Sequence, residues 1–143
     1  MRSIALLFLF SAALATHSCC AAADEEFTQE QRTFVQSKVL PLLEARCFEC
    51  HKAGKEPKGG LVLSGRKAML AGGDSGPAIV PGKPEESLLM EAIRYESFEM
   101  PPRSRMPKEE VAIFEKWIAD GAAWPAELDT DPTSVGKQMF PLQ

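Results

Sequence analysis

The sequence predicts a small all-α domain with long loops. Apolar residues recur at helical spacing in several short segments, and no segment alternates apolar and polar residues convincingly enough for a β-ladder. The chain has 143 residues, enough for one domain of ordinary size. Short helices of this kind form only a thin core, which a buried prosthetic group would help to fill.

The first predicted helix begins with a capping box formed by Thr28 and Gln31. Pro41 should kink or split this helix, because proline has no N–H to donate. The chain reaches Cys47 just beyond its end. The apolar stripe of the helix consists of Val35, Val39, Leu42 and Leu43.

Three further helices are expected. Ser64 can cap a short one that ends near Gly72, and Pro84 suits the first position of the next. The last helix is predicted from Pro107 to about Ala119. Its apolar face consists of Val111, Ile113, Phe114, Trp117 and Ile118.

Residues 1–23 have the composition of a secretory signal peptide. Arg2 is followed by a nearly unbroken apolar run over 4–15 and by small residues ending at Ala23. The run is short for a membrane span. We therefore expect cleavage after Ala23, export to the periplasm, a folded domain over 24–125 and a flexible tail over 126–143. An uncleaved or lipid-anchored N-terminus is the less favoured alternative.

Residues 47–51 read Cys-Phe-Glu-Cys-His, the C-x-x-C-H pattern typical of haem attachment. On a helix, positions i, i+3 and i+4 share one face, so Cys47, Cys50 and His51 should point the same way. The two thiols can then bond the two vinyl groups of one porphyrin, and the imidazole can ligate its iron. The sequence predicts one covalently bound haem c per chain.

Other uses of this motif lack parts. Cleavage after Ala23 would leave Cys47, Cys50 and His51 as the only cysteines and histidine, whereas structural zinc usually takes four protein ligands. A thioredoxin-like redox pair expects a βαβ setting. A Cys47–Cys50 disulfide remains possible chemically, but it leaves His51 without a role.

The second axial position of the iron is expected to take a methionine, the usual partner in electron-transfer cytochromes. Met100 lies on a loop stiffened by Pro101 and Pro102, and a rigid loop can hold a thioether with little ordering cost. Met106 is the main rival, and an open or water-ligated iron is a further alternative. Met69 and Met90 fit core packing better, and Met139 falls in the tail.

Two supporting contacts are also expected. The ring nitrogen of His51 that does not face the iron should donate to a backbone carbonyl, which we place near Pro57. Arg94, Arg103 and Arg105 are candidates to pair with haem propionates.

The sequence resembles the planctomycete-type cytochrome c domain, within the class I cytochromes c. The resemblance covers about residues 33 to 125, and its matching stretches are 39–43, 46–51, 59–61, 72–78, 81–89, 100–102 and 117–122. It implies a small class I helical fold wrapped around one haem, with Cys47 and Cys50 attaching it, His51 proximal and Met100 distal. Family members often continue into large further domains, whose roles cannot be carried over to this chain.

The expected function is one-electron transfer by a periplasmic monohaem cytochrome with His/Met-ligated iron, acting as a carrier rather than an enzyme. The formal net charge of −4 would become −5 without Arg2, which disfavours nucleic acid as a partner. We expect redox-protein partners and no stable membrane span in the mature chain. Three other functions are less favoured: a peroxidase-like enzyme, a haem-based sensor, and an exported scaffold with one disulfide.

Overall fold

The computed structural model describes residues 27–54 and 56–129. The predicted signal peptide and residues 130–143 of the predicted tail lie outside the described residues. Within the described ranges the regular structure is helical, apart from an isolated bridge between Gly73 and Gly76. The all-α prediction is therefore confirmed for this part of the chain. The α-helices are α1 (Gln29–Phe34), α2 (Leu40–Arg46), α3 (Phe48–His51), α4 (Arg66–Ala71), α5 (Leu88–Arg94) and α6 (Lys108–Ala119).

The first helix starts at the predicted capping box. Thr28 Oγ1 accepts from the N–H of Gln31 at 3.2 Å, and Gln31 Oε1 accepts from the N–H of Thr28 at 2.9 Å. The amide of Gln31 also donates to the carbonyl of Asp120 at 3.0 Å, which joins the start of α1 to the end of α6. The Gln31 side chain thus both completes the capping box and makes a tertiary contact.

Pro41 splits the first helix by way of a π-helical segment rather than a sharp break. Val35–Val39 form this segment between α1 and α2, and the N–H of Leu40 bonds to the carbonyl of Val35. Pro41 falls in the first turn of α2, where a missing N–H costs little. The predicted apolar stripe faces the core, since Val35, Val39 and Leu43 are fully buried.

The helices α4 and α5 begin later than predicted. Ser64 does not cap α4: its hydroxyl accepts from the N–H of Ala53 at 3.0 Å, and α4 follows Gly65. Pro84 starts a 3-10 turn over Pro84–Glu86 instead of α5. The chain then passes through Ser87, whose buried hydroxyl accepts from the N–H of Val80 at 2.9 Å.

The last helix follows its prediction to within one residue, because Pro107 precedes Lys108 as its N-cap. Phe114, Trp117 and Ile118 of α6 are buried at the centre of the core, while Val111 and Ile113 are partly buried. α6 packs against α5 and against the π-helical segment. Arg94 on α5 adds ion pairs to Glu85 and, across to α6, to Glu115.

The described chain ends with a short 3-10 turn at Ala126–Leu128, and Leu128 packs against the core. Regular structure therefore continues past residue 125, the end predicted for the folded domain. None of the helices in residues 27–54 and 56–129 is long and apolar enough to cross a membrane.

Candidate cofactor site

The C-x-x-C-H motif consists of Cys47, which lies between α2 and α3, and the single turn of α3. The N–H groups of Cys50 and His51 both bond to the carbonyl of Cys47, at 3.1 and 2.9 Å. This turn places Cys47, Cys50 and His51 along one cavity, as the spacing predicts. The two intervening residues turn away, since Phe48 is buried in the core and Glu49 is exposed.

The cavity has a volume of about 360 Å³, within the range of small-molecule sites. Its walls are predominantly apolar. α3 contributes the sulfurs and the imidazole, and the loop after α5 contributes Met100 with the two prolines that follow it. The remaining apolar wall includes Leu61, Leu63, Ala78, Leu89, Ala92 and Ile93.

The structure brings Met100 to the same cavity as His51, although the two residues are far apart in the chain. The N–H of Met100 donates to the carbonyl of Ala92 at 3.2 Å, and its side chain lies at the rim with 36% exposure. Met106, the rival candidate, is 4% exposed in the core and is not a lining residue. Among the methionines that the structure describes, Met100 alone lines the cavity. Met69 and Met90 are fully buried in the core, and Met139 lies outside the described residues.

The imidazole of His51 is oriented by a backbone carbonyl. Its Nδ1 lies 3.1 Å from the carbonyl oxygen of Leu61. A carbonyl can only accept, so Nδ1 carries the proton and Nε2 keeps its lone pair for a metal. The acceptor is four residues beyond the predicted position at Pro57. Leu61 is held there in part because the N–H of Leu63 bonds to the carbonyl of His51 at 2.7 Å.

The two sulfurs are free thiols in the structure. Burial raises the pKa of the Cys47 thiol to about 11, and the adjacent Arg46 guanidinium only partly opposes this. No group of three or more His, Cys, Asp or Glu residues able to hold a bare metal ion occurs in the described ranges.

The basic groups at the cavity differ from those predicted. Arg46 and Lys58 line it, whereas the three predicted arginines do not. Arg94 pairs with Glu85 and Glu115, and Arg103 pairs with Glu49 at 2.8 Å. Arg105 lies over the ring of Tyr95. Arg46 directly precedes Cys47 in the chain, and this position is the one sequence signal that points to Arg46 as a lining residue.

Comparison with protein families agrees with this geometry. Residues 47–104 match the family model of Planctomycete cytochrome C. This match supports a planctomycete-type cytochrome c domain over these residues. The matched range begins at the first cysteine of the motif and extends past Met100, so it contains both segments that carry the candidate ligands. No curated protein and no solved structure matches the chain significantly.

The cytochrome c domain suggests haem-based electron transfer and implies haem c as its cofactor. The residues present fit such a group. Two thiols, an imidazole with a free Nε2 and a thioether face one cavity whose walls are mostly apolar. This donor set suits a porphyrin iron better than a hydrated ion.

Proposed function

We propose that the protein is a periplasmic monohaem c-type cytochrome that transfers single electrons. In this proposal Cys47 and Cys50 hold one haem covalently, and His51 and Met100 ligate its iron. The observation that carries the proposal is the cavity itself, which collects these four side chains from two distant segments. The cytochrome c domain over residues 47–104 supports the same function.

Each of these residues has a distinct task. The thiols of Cys47 and Cys50 anchor the cofactor, which supplies a one-electron iron couple when bound. The Leu61 carbonyl keeps the proton of His51 on Nδ1 and so presents Nε2 to the site. The apolar walls exclude water, and the Met100 thioether favours a high reduction potential.

Substitution by leucine separates the two candidate methionine ligands. Leucine keeps the approximate volume of methionine but removes its sulfur. Met100→Leu should abolish the weak far-red sulfur-to-iron band and lower the midpoint potential by on the order of 0.1 V, since axial ligands set haem potentials over a range of about 0.8 V. The measurements are absorption spectroscopy and potentiometry of the ferric and ferrous holoprotein.

Met106→Leu is the matched control, because Met106 is buried in the core outside the cavity lining. This variant should keep the far-red band and the potential of the wild type. Loss of the band in Met106→Leu with its retention in Met100→Leu would reverse the assignment.

Covalent attachment is tested by acid–organic extraction of protein produced with c-type maturation machinery. Haem should stay with the polypeptide, and the intact mass should rise by one haem per chain. The double variant Cys47→Ala/Cys50→Ala should release all of its haem or take up none. If acid–organic extraction removed all of the haem from the wild-type protein, the proposed covalent attachment would be refuted.

The same preparation tests the enzymatic alternative and the location. A low-spin ferric spectrum with negligible peroxide turnover is expected for a carrier, whereas a high-spin spectrum with turnover would favour a peroxidase-like protein. Export predicts that the mature protein is recovered from the periplasmic fraction with Asp24 as its first residue. N-terminal sequencing of that fraction decides this point.

A further inference from the structure

The loop between α5 and α6 carries Met100, and few contacts hold it in place. The N–H of Met100 bonds to the carbonyl of Ala92 at 3.2 Å, near the long end of the normal range. The far end of the loop is anchored by Met106, which is buried in the core. Phe98 and Met100, both in the first half of the loop, have exposed apolar side chains. The position of the thioether therefore depends on any contact that ties down residues 98–102.

Tyr95 provides such a contact. Its hydroxyl donates to the carbonyl oxygen of Pro101, the residue that directly follows Met100. The guanidinium of Arg105 lies over the Tyr95 ring, 4.5 Å from its centroid. The phenol thus joins the end of α5 to the middle of the loop, and Arg105, near the end of the same loop, packs against the ring.

The backbone of Tyr95 supports a role for its side chain. Tyr95 ends α5 in the left-handed region, with φ 65° and ψ 37°. This position after a helix usually takes glycine, because a bulky residue is disfavoured at positive φ. A strained residue persists when its surroundings hold it there, and here the phenol contacts supply that hold. Tyr95 is also the only tyrosine of the chain.

We propose that Tyr95 is a positioning residue for the distal ligand. Its hydroxyl keeps the Pro101 carbonyl, and with it the Met100 thioether, against the cavity. The inference rests on the proposed ligation of iron by Met100 and deepens it. Tyr95 thereby sets the ratio between the state with Met100 on the iron and the state with the sixth position open.

Exogenous imidazole measures this ratio in the ferric holoprotein, because imidazole binds only when Met100 has left the iron. The apparent dissociation constant of imidazole is inversely proportional to the fraction of protein in the open state. The titration is followed by loss of the far-red sulfur-to-iron band and by the Soret shift. It is made without denaturant, where local opening of the loop greatly exceeds global unfolding.

Tyr95→Phe removes the hydroxyl and keeps the ring beneath Arg105. Loss of one hydrogen bond should tighten imidazole binding about fivefold, within the two- to tenfold effect that such a bond supports. Arg103→Gln is the control from the same loop: it breaks only the exposed Arg103–Glu49 pair, and imidazole affinity should change less than twofold. Urea unfolding, followed by circular dichroism, should give both variants midpoints close to that of the wild type.

Met100→Ala separates failure of this inference from failure of the proposed ligation. Without a competing thioether it should bind imidazole most tightly of all. If it does so while Tyr95→Phe matches the wild type, the role of Tyr95 is refuted and the ligation stands. If Met100→Ala binds imidazole no more tightly than the wild type, Met100 is not the ligand and both proposals fall.

Discussion

His51 illustrates which single residues can be assigned from the sequence. The spacing of Cys47, Cys50 and His51 is local, so one helical turn is enough to predict that they share a face. The carbonyl that orients the imidazole belongs to Leu61, beyond a glycine-rich turn whose path is not encoded by periodicity. The contacts of Arg46 and Tyr95 cannot be predicted from the sequence for a related reason. Their partners, Glu110 and Pro101, are identified only by tertiary structure.

Two glycines, Gly72 and Gly82, can be compared to test how close approach of the backbone limits substitution. Both have positive φ, of 77° and 78°. A Cβ at Gly72 would lie 1.8 Å from the carbonyl oxygen of Gly76, whereas a Cβ at Gly82 would have no neighbour within 4 Å. Gly82→Ala should therefore cost about 1–2 kcal/mol for the left-handed backbone alone.

Gly72→Ala should cost about 3 kcal/mol or more, because the backbone of Gly72 (φ 77°, ψ −159°) lies in a region that essentially only glycine adopts, and overpacking against Gly76 adds about 1–3 kcal/mol. The free energy of unfolding of each variant is measured by urea titration. Equal losses in the two variants would show that the turn at Gly72 to Gly76 relaxes to admit a methyl group.

Helices were predictable where local and tertiary signals agree. α6 was placed to within one residue, because the residues that begin it, its apolar face and its C-terminal glycine all fit one helix. α4 begins one residue later than a Ser64 cap predicts, and α5 begins four residues after Pro84, its predicted first residue. The hydroxyls of Ser64 and Ser87 have tertiary partners, the N–H groups of Ala53 and Val80, and a sequence pattern cannot show such partners.

A partly buried ion pair joins α2 to α6. Arg46 Nη2 lies 2.9 Å from Glu110 Oε1, with side-chain exposures of 33% and 23%. Glu110 Oε2 is buried and has no hydrogen-bond partner in the structure. Arg46→Met keeps the aliphatic stem of the arginine but leaves this carboxylate without its donor. We expect a loss of about 1–2 kcal/mol in stability, since the site is only partly buried.

The double variant Arg46→Met/Glu110→Leu provides the check on this ion pair. Replacing both partners by apolar side chains removes the uncompensated carboxylate, so the double variant should regain most of the stability lost by Arg46→Met. Urea unfolding of the single and double variants completes the cycle. Strictly additive losses would mean that the pair contributes no coupling.

For the whole molecule, periodicity was enough for the all-α class but not for the arrangement of its segments. Nothing in the helical pattern says that the Met100 loop faces α3; that expectation came from loop stiffness and from family resemblance. The cavity between them is formed by α3, by α5 and by loops on both sides. Its shape is therefore a property of the assembled core.

At this scale, the cavity predicts that the stability of the core depends on the proposed haem. At about 24 cal/mol per Å³, a fully enclosed apolar cavity of 360 Å³ would cost on the order of 9 kcal/mol, comparable to the whole stability of a small domain. The cavity is partly open, so this is an upper limit. The haem-free variant Cys47→Ala/Cys50→Ala should therefore lose cooperative unfolding.

Near-ultraviolet circular dichroism and binding of an apolar dye detect this loss. Holoprotein carrying Met100→Leu is the control, because it retains the cofactor and should still unfold cooperatively. A haem-free variant with a sharp transition and native near-ultraviolet dichroism would show that the helices pack without the cofactor.

Because α3 and the Met100 loop meet at one cavity, a bond between them would also change the conformational entropy of the unfolded chain. With Met100 on the iron, the bond is a reversible cross-link that closes a chain loop of about 50 residues. By loop-closure entropy, a cross-link of that span restricts the unfolded chain by about 4 kcal/mol. Thioether ligation raises the reduction potential, so by reciprocity the reduced iron holds this link more tightly. Gaining an electron would then make the chain harder to unfold, and losing one would loosen it.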